Sequence, residues 1–146
     1  MLYFDTSFLV PLVIPEATSD KIAKFIRALP AQALTVSHWT RVEFSALLGR
    51  EVRGGGLNAE AARRADARFE VMLDESFAIL LPNAGDFDLA RKYLGNPATG
   101  LGAGAALHLA IGKNRRAKAI YSLDRTLLEA GKLLGLPVRA GIRIAG

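Results

Sequence analysis

The chain contains no cysteine. Disulfides and thiolate-held metal centres are therefore excluded, and any metal it holds must sit on oxygen or imidazole ligands. Imidazole is itself scarce, with 2 histidines in 146 residues. No apolar stretch approaches the roughly 20 residues needed to span a bilayer. The start, Met1-Leu-Tyr-Phe-Asp5-Thr-Ser7, has no basic segment ahead of its apolar run, and an acid follows almost at once. That pattern does not read as a signal peptide. The expectation is a soluble, cytoplasmic protein without a membrane partner. What the chain has in quantity is apolar residues, 51% of the total. That content excludes disorder and, at this length, supplies the core of a single domain over residues 1–146.

Lys and Arg outnumber Asp and Glu by 19 to 14, a net charge of +5. A basic balance attracts polyanions, although net charge defines no site. Arg50, Arg53, Arg63, Arg64 and Arg68 lie mid-chain. Lys113, Arg115, Arg116 and Lys118 close a helical pattern, where complementing the helix dipole is reason enough for them.

Short apolar runs alternate with amphipathic stretches. Leu2–Phe4, Ala33–Val36, Ala78–Leu81 and Ala119–Leu123 are predicted strands, and a last weak strand lies near Val138 or Ile142. A short helix is predicted over Ser7–Ile14, strained by Pro11 and ended by Pro15. Further helices follow over Ser19–Leu29, Trp39–Val52, Asn58–Leu73, Phe87–Leu94, Leu101–Ile111 and Arg125–Leu134. In the third of these seven, Trp39, Val42, Ala46 and Leu47 are expected to face inward. Gly54-Gly-Gly56 reads as an inter-helix turn. Strands separated by helices imply a parallel sheet covered on both faces.

Three acids stand out. Asp5 ends the first strand, where ligands collect in open α/β sheets, but it also fits a helix N-cap. Glu43 shares the apolar face of its helix with Trp39 and Ala46, and a buried carboxylate needs a partner or a cation. Thr40-Arg-Val-Glu43 fits a capping box equally well. Asp124 follows the Ala119–Leu123 strand and starts the last helix, again a strand-end or N-cap position. A parallel sheet gathers such junctions at one edge, where three carboxylates would repel one another unless a cation joined them. Hard oxygen ligands point to Mg2+ or Mn2+, and acidic clusters holding such ions commonly drive phosphodiester hydrolysis. Asp86 and Asp88 read as helix-start acids. His108 reads as a hydrogen-bonded core histidine. Gly100, Gly102 and Gly104 imitate a phosphate loop but lack the strand that a dinucleotide fingerprint requires. An aspartyl-phosphate phosphatase would want an acid where Ser7 stands, and a receiver domain would want an acidic neighbour for Asp5.

Phe4-Asp-Thr-Ser7, Val42-Glu-Phe44, Ala106-Leu-His-Leu-Ala110 and Tyr121-Ser-Leu-Asp124, then Leu127 and Leu134-Gly-Leu136, occur in an order that spans nearly the whole chain. With these stretches the chain resembles a PIN domain, and specifically a VapC toxin ribonuclease of a bacterial type II toxin–antitoxin pair. The resemblance implies a three-layer α/β/α sandwich with a mainly parallel central sheet. It implies an Mg2+-dependent endoribonuclease, with Mn2+ as the other candidate ion, that cuts RNA by metal-activated water. Asp5, Glu43 and Asp124 take the catalytic and metal-binding positions, and Ser7 and Ser122 the positions of their hydrogen-bond partners. A homodimer, a VapB-like antitoxin, and a larger complex with that antitoxin on operator DNA are implied as well.

The chain departs from the family pattern at three positions. Ser122 replaces the more usual threonine, and Gly102 stands where arginine is frequent. Ala105 occupies the position of the family's third aspartate. Losing that ligand should weaken metal binding and slow hydrolysis, and His108, one turn on, is no substitute because imidazole suits Mg2+ poorly. Ala105 admits three readings: an introduced inactivating substitution, a natural nuclease-dead domain that binds an antitoxin or RNA, or an enzyme working weakly with fewer ligands.

Overall fold

The computed structural model describes residues 1–143. Within them lie β1 (Leu2–Phe4), α1 (Thr6–Leu9), α2 (Ser19–Arg27), β2 (Leu34–Ser37), α3 (His38–Arg53) and α4 (Ala59–Ser76). After these come β3 (Ala78–Leu80), α5 (Ala84–Leu94), α6 (Ala103–Asn114), β4 (Ala119–Tyr121), α7 (Arg125–Leu133) and β5 (Val138–Arg139). The strands form one sheet in the order β3-β2-β1-β4-β5, and every pairing is parallel. The chain winds outward from β1 through β2 to β3, then returns past β1 to lay down β4 and β5. The strand order therefore reverses between β1 and β4. In open α/β sheets this reversal opens a crevice at the carboxyl ends of the strands.

Successive residues of β1 point to opposite faces of the sheet. Phe4 enters a core with Phe8, Ile22, Val36, Phe44 and Phe69 from α1 to α4 and β2. Tyr3 enters a second core with Leu107, Leu109, Ile111, Ile120 and Leu127 from α6, β4 and α7. The result is helices on both faces of a fully parallel sheet, the α/β/α sandwich expected. Phe44 and Phe69 stack with ring centroids 3.9 Å apart, which ties α3 to α4.

Several sequence expectations are corrected. The helix predicted over Ser7–Ile14 is α1 followed by a separate 3-10 turn at Val10–Leu12. Pro11 has no N–H to continue the α-helical ladder. In α3, Val42 and Ala46 are exposed, and Thr40, Phe44 and Leu48 form the fully inward stripe. These three recur every four residues, the spacing of one helix face. The Thr40–Glu43 capping box does not form: Thr40 Oγ1 accepts from the Ser37 N–H at 3.5 Å, while Glu43 turns elsewhere. Of the two places expected for the last strand, Val138 is the one observed, in β5 at Val138–Arg139.

Candidate active site

Asp5 stands at the end of β1, beside the end of β4, at the reversal of strand order. Its backbone N–H donates to Tyr121 O at 3.0 Å, extending the β1–β4 ladder by one step. Its side chain is almost fully buried and is held on three sides. Oδ1 accepts from Ser7 Oγ at 2.7 Å and from the Phe8 N–H at 3.1 Å, the latter an N-cap bond to α1. Oδ2 accepts from Ser122 Oγ at 2.5 Å. Both serines also accept from backbone, Ser7 from the Leu123 N–H and Ser122 from the Asp124 N–H, each at 2.9 Å. The two hydroxyls thus lock the β4–α7 turn against the β1–α1 turn, with the Asp5 carboxylate between them. Burial pushes the Asp5 carboxyl above its ordinary range, against the opposing pull of His108, Ser122, Ser7 and the Phe8 N–H.

Glu43 projects from α3 toward α6. Its Oε1 is paired with His108 Nε2 and accepts from Thr6 Oγ1 at 2.6 Å. Thr6 Oγ1 also lies 3.3 Å from His108 Nε2. His108 is buried in the middle of α6, and its Nδ1 lies 2.8 Å from the Tyr3 hydroxyl, which in turn meets Ser37 Oγ at 2.9 Å. A ring that donates from Nε2 and accepts at Nδ1 satisfies every member of this chain: Ser37 to Tyr3, Tyr3 to His108, His108 to Glu43. Burial opposes the charge of Glu43, but His108 and Thr6 outweigh it, with Arg50 helping, and the carboxyl lies below its ordinary range. Burial likewise drives the Tyr3 phenol well above its usual range, so it serves as a neutral hydrogen-bonding group.

Asp124 is exposed and caps α7, with Oδ1 accepting from the N–H groups of Thr126 at 2.9 Å and Leu127 at 3.3 Å. Asp5, Ser7, Glu43, Arg50, Ala105, His108 and Asp124 all line one open cleft of about 160 Å³. The structure therefore brings Asp5, Glu43 and Asp124 to a single cavity, with Ala105 in its wall. Ser122 lies directly behind, fully buried. Asp86 and Asp88 do not line it. Asp86 is fully buried against Arg115, while Asp88 is exposed on α5.

Sequence reasoning missed Tyr3, Thr6 and Arg50. Thr6 follows the strand-end acid directly and Tyr3 precedes it by two residues, and neither carried a signal beyond that proximity. Arg50 did carry one: it follows Glu43 by seven residues, two helical turns along the same face.

The PIN domain family model matches residues 2–133. The chain belongs to the PIN domain family. No curated protein matches it. Among solved structures, VapC20 of Mycobacterium tuberculosis, a toxin that cleaves the sarcin–ricin loop, superposes with TM-score 0.72 at 20% identity, over 90% of this chain and 95% of its own. VapBC-1 of nontypeable Haemophilus influenzae gives 0.68 at 18% identity, over 97% and 98% of the two chains. FitAcB of Neisseria gonorrhoeae gives 0.74 at 16% identity, over 97% and 98%. All three share the PIN fold seen here.

PIN nucleases generally use divalent metal ions. The donors lining this cleft are hard oxygens and suit such an ion by chemistry. Their arrangement does not: among the described residues, no three His, Asp or Glu side chains form a group able to hold a metal ion. Glu43 is engaged by His108 and Thr6, Asp124 caps α7, and at position 105 the PIN domain offers a methyl group.

Proposed function

We propose that this PIN domain, a single domain over residues 1–146, is a VapC-like endoribonuclease toxin of a toxin–antitoxin pair, with its acidic site weakened by Ala105. The observation that carries the reading is the convergence of Asp5, Glu43 and Asp124 on one cleft at the reversal of strand order, with Ala105 facing it. In this reading Asp5 is the principal acid, oriented by Ser7 and Ser122. Glu43 is held as an anion by His108 and Thr6. Asp124 guards the mouth of the cleft.

An aspartate at 105 would complete the set. The expected ion is then Mg2+, with Mn2+ as the second choice, held by Asp5, Glu43, Asp124 and the new carboxylate. The structural likeness to VapBC-1 and to FitAB bound to a DNA fragment supports a VapB-like antitoxin as partner, and a homodimer that joins it in an operator-binding complex. No helix among the described residues is long and apolar enough to cross a membrane. We assign the protein to the cytoplasm, where an RNA target resides.

A nuclease-dead module that binds an antitoxin or RNA is the second reading. It is favoured by the engagement of Glu43 with His108 and by the missing ligand group. The two are separated by incubating RNA with Mg2+ or Mn2+ and either this chain or Ala105→Asp. Metal-dependent cleavage by this chain that rises sharply in the aspartate form supports the weakened nuclease, whereas cleavage by the aspartate form alone supports the nuclease-dead module. If that form cleaves no RNA offered and binds no divalent ion, the nuclease reading fails.

A further inference from the structure

The five mid-chain arginines are not equivalent. Arg63 and Arg64 pair with Glu60 on the surface of α4. Arg68 donates to Val13 O at 3.0 Å. Arg53 lies over Gly49 of its own helix. Arg50 is exposed and, among the described residues, its side chain makes neither ion pair nor hydrogen bond, yet it lines the acidic cleft. Its charge reaches Glu43 and helps hold that carboxyl ionised. An unpaired guanidinium at the lip of an anionic cavity presents a planar fork of donors, the geometry that matches a phosphate.

We propose that Arg50 holds a backbone phosphate of single-stranded RNA laid across the cleft, which makes it a substrate-positioning residue. The inference rests on the ribonuclease reading. Arg50 stands about 10 Å from Glu43 along α3 at 1.5 Å rise per residue. The phosphate it takes is therefore a neighbour of the one over the carboxylates, and only a polymer supplies both. The carboxylate floor disfavours any anion that must sit in it without a compensating contact nearby, and Arg50 supplies that contact. Closing the C-terminal turn of α3 against its dipole is a purely structural role for the same charge. Arg91 fills that role at the end of α5, away from the cleft, and provides the matched control.

The test is the binding of a fluorescent single-stranded RNA oligonucleotide, with chelator present to prevent cleavage, across a salt series. The proteins are the full chain, Arg50→Gln, Arg50→Lys and Arg91→Gln. Arg50→Gln should weaken binding about 10-fold and flatten the log-log salt slope by about 0.7, the value for one phosphate contact on a single strand. Arg50→Lys should recover the slope but only part of the affinity, and Arg91→Gln should match the parent. Equal binding and slope for Arg50→Gln and the parent would overturn the assignment of Arg50. No RNA binding by the parent itself would instead overturn the ribonuclease reading. A polyglutamate peptide bound as tightly as RNA, with the same dependence on Arg50, would replace RNA by an acidic protein segment as the occupant.

Discussion

Asp86 is fully buried, and its charge is held by Arg115 Nη1 at 2.7 Å, Arg115 Nη2 at 3.0 Å and Asn114 Nδ2 at 2.8 Å. Burial opposes its ionisation, but these donors and the Asn83 N–H outweigh it and lower the pKa. Replacing Asp86 by Asn removes the charge while keeping the shape, and leaves Arg115 without its carboxylate, holding only the Leu81 carbonyl. The expected loss is about 3 kcal/mol, the low end for a broken buried pair, because the Arg115 side chain retains 22% exposure. A carboxyl with a depressed folded pKa stabilises above its unfolded pKa of about 4, and that stability disappears as pH falls through the folded value. Urea midpoints of the parent and Asp86→Asn should therefore differ at pH 7 and converge in acid. A gap that stays constant with pH would show that the charge of Asp86 contributes nothing. Tyr3→Phe is a second probe at this scale. It leaves His108 Nδ1 and Ser37 Oγ, both buried, without their bridging hydroxyl, and should cost roughly 1–3 kcal/mol in denaturant unfolding.

At the scale of the element, α6 is tightly held: every residue from Ala106 to Gly112 is buried, and Ala105 and His108 also line the cleft. Gly112 shows the constraint: a Cβ there would come within 2.6 Å of Ile120 Cδ1 on β4. Ile120 is fully buried, and its Cγ1 would lie 2.7 Å from the same Cβ. Gly112→Ala gains about 1 kcal/mol of helix propensity, but overpacking of a filled core costs about 1–3 kcal/mol. A net loss of roughly 1 kcal/mol is expected from thermal or urea melts, and a stabilised variant would show that α6 can lift away from β4. The elements themselves were legible in the sequence, because short apolar runs punctuated by Gly and Pro carry the strand and helix periods. The orientation of α3 was legible only in part. Trp39 and Glu43 were correctly placed on one face. Val42 and Ala46 were not, because the stripe that packs begins with Thr40, a polar residue whose burial depends on the Ser37 N–H it accepts from. The partners of Glu43 and Asp86 were illegible for a different reason: 65 residues separate Glu43 from His108, and 29 separate Asp86 from Arg115. Only the fold brings them together.

For the molecule as a whole, topology locates the cleft, and the proposed function makes residue 105 the determinant of its strength. The reversal of strand order between β1 and β4 would place Asp5 and Asp124 together whatever stood at 105. The cleft thus follows from the strand order, and the alanine in its wall is a property of this chain. If Ala105 is what keeps the cleft from being a metal centre, restoring the acid should restore ion binding without altering the fold. The direct measurement is titration of Mn2+ and Mg2+ into the purified chain and into Ala105→Asp by calorimetry. A lost outer-shell partner alone costs 10–100-fold in metal affinity, so regaining a direct ligand should tighten binding on the order of 100-fold or more. The account expects one ion per Ala105→Asp chain at that gain, with the circular dichroism spectrum unchanged. Equal affinity of the two proteins, whether both bind or neither does, would contradict it.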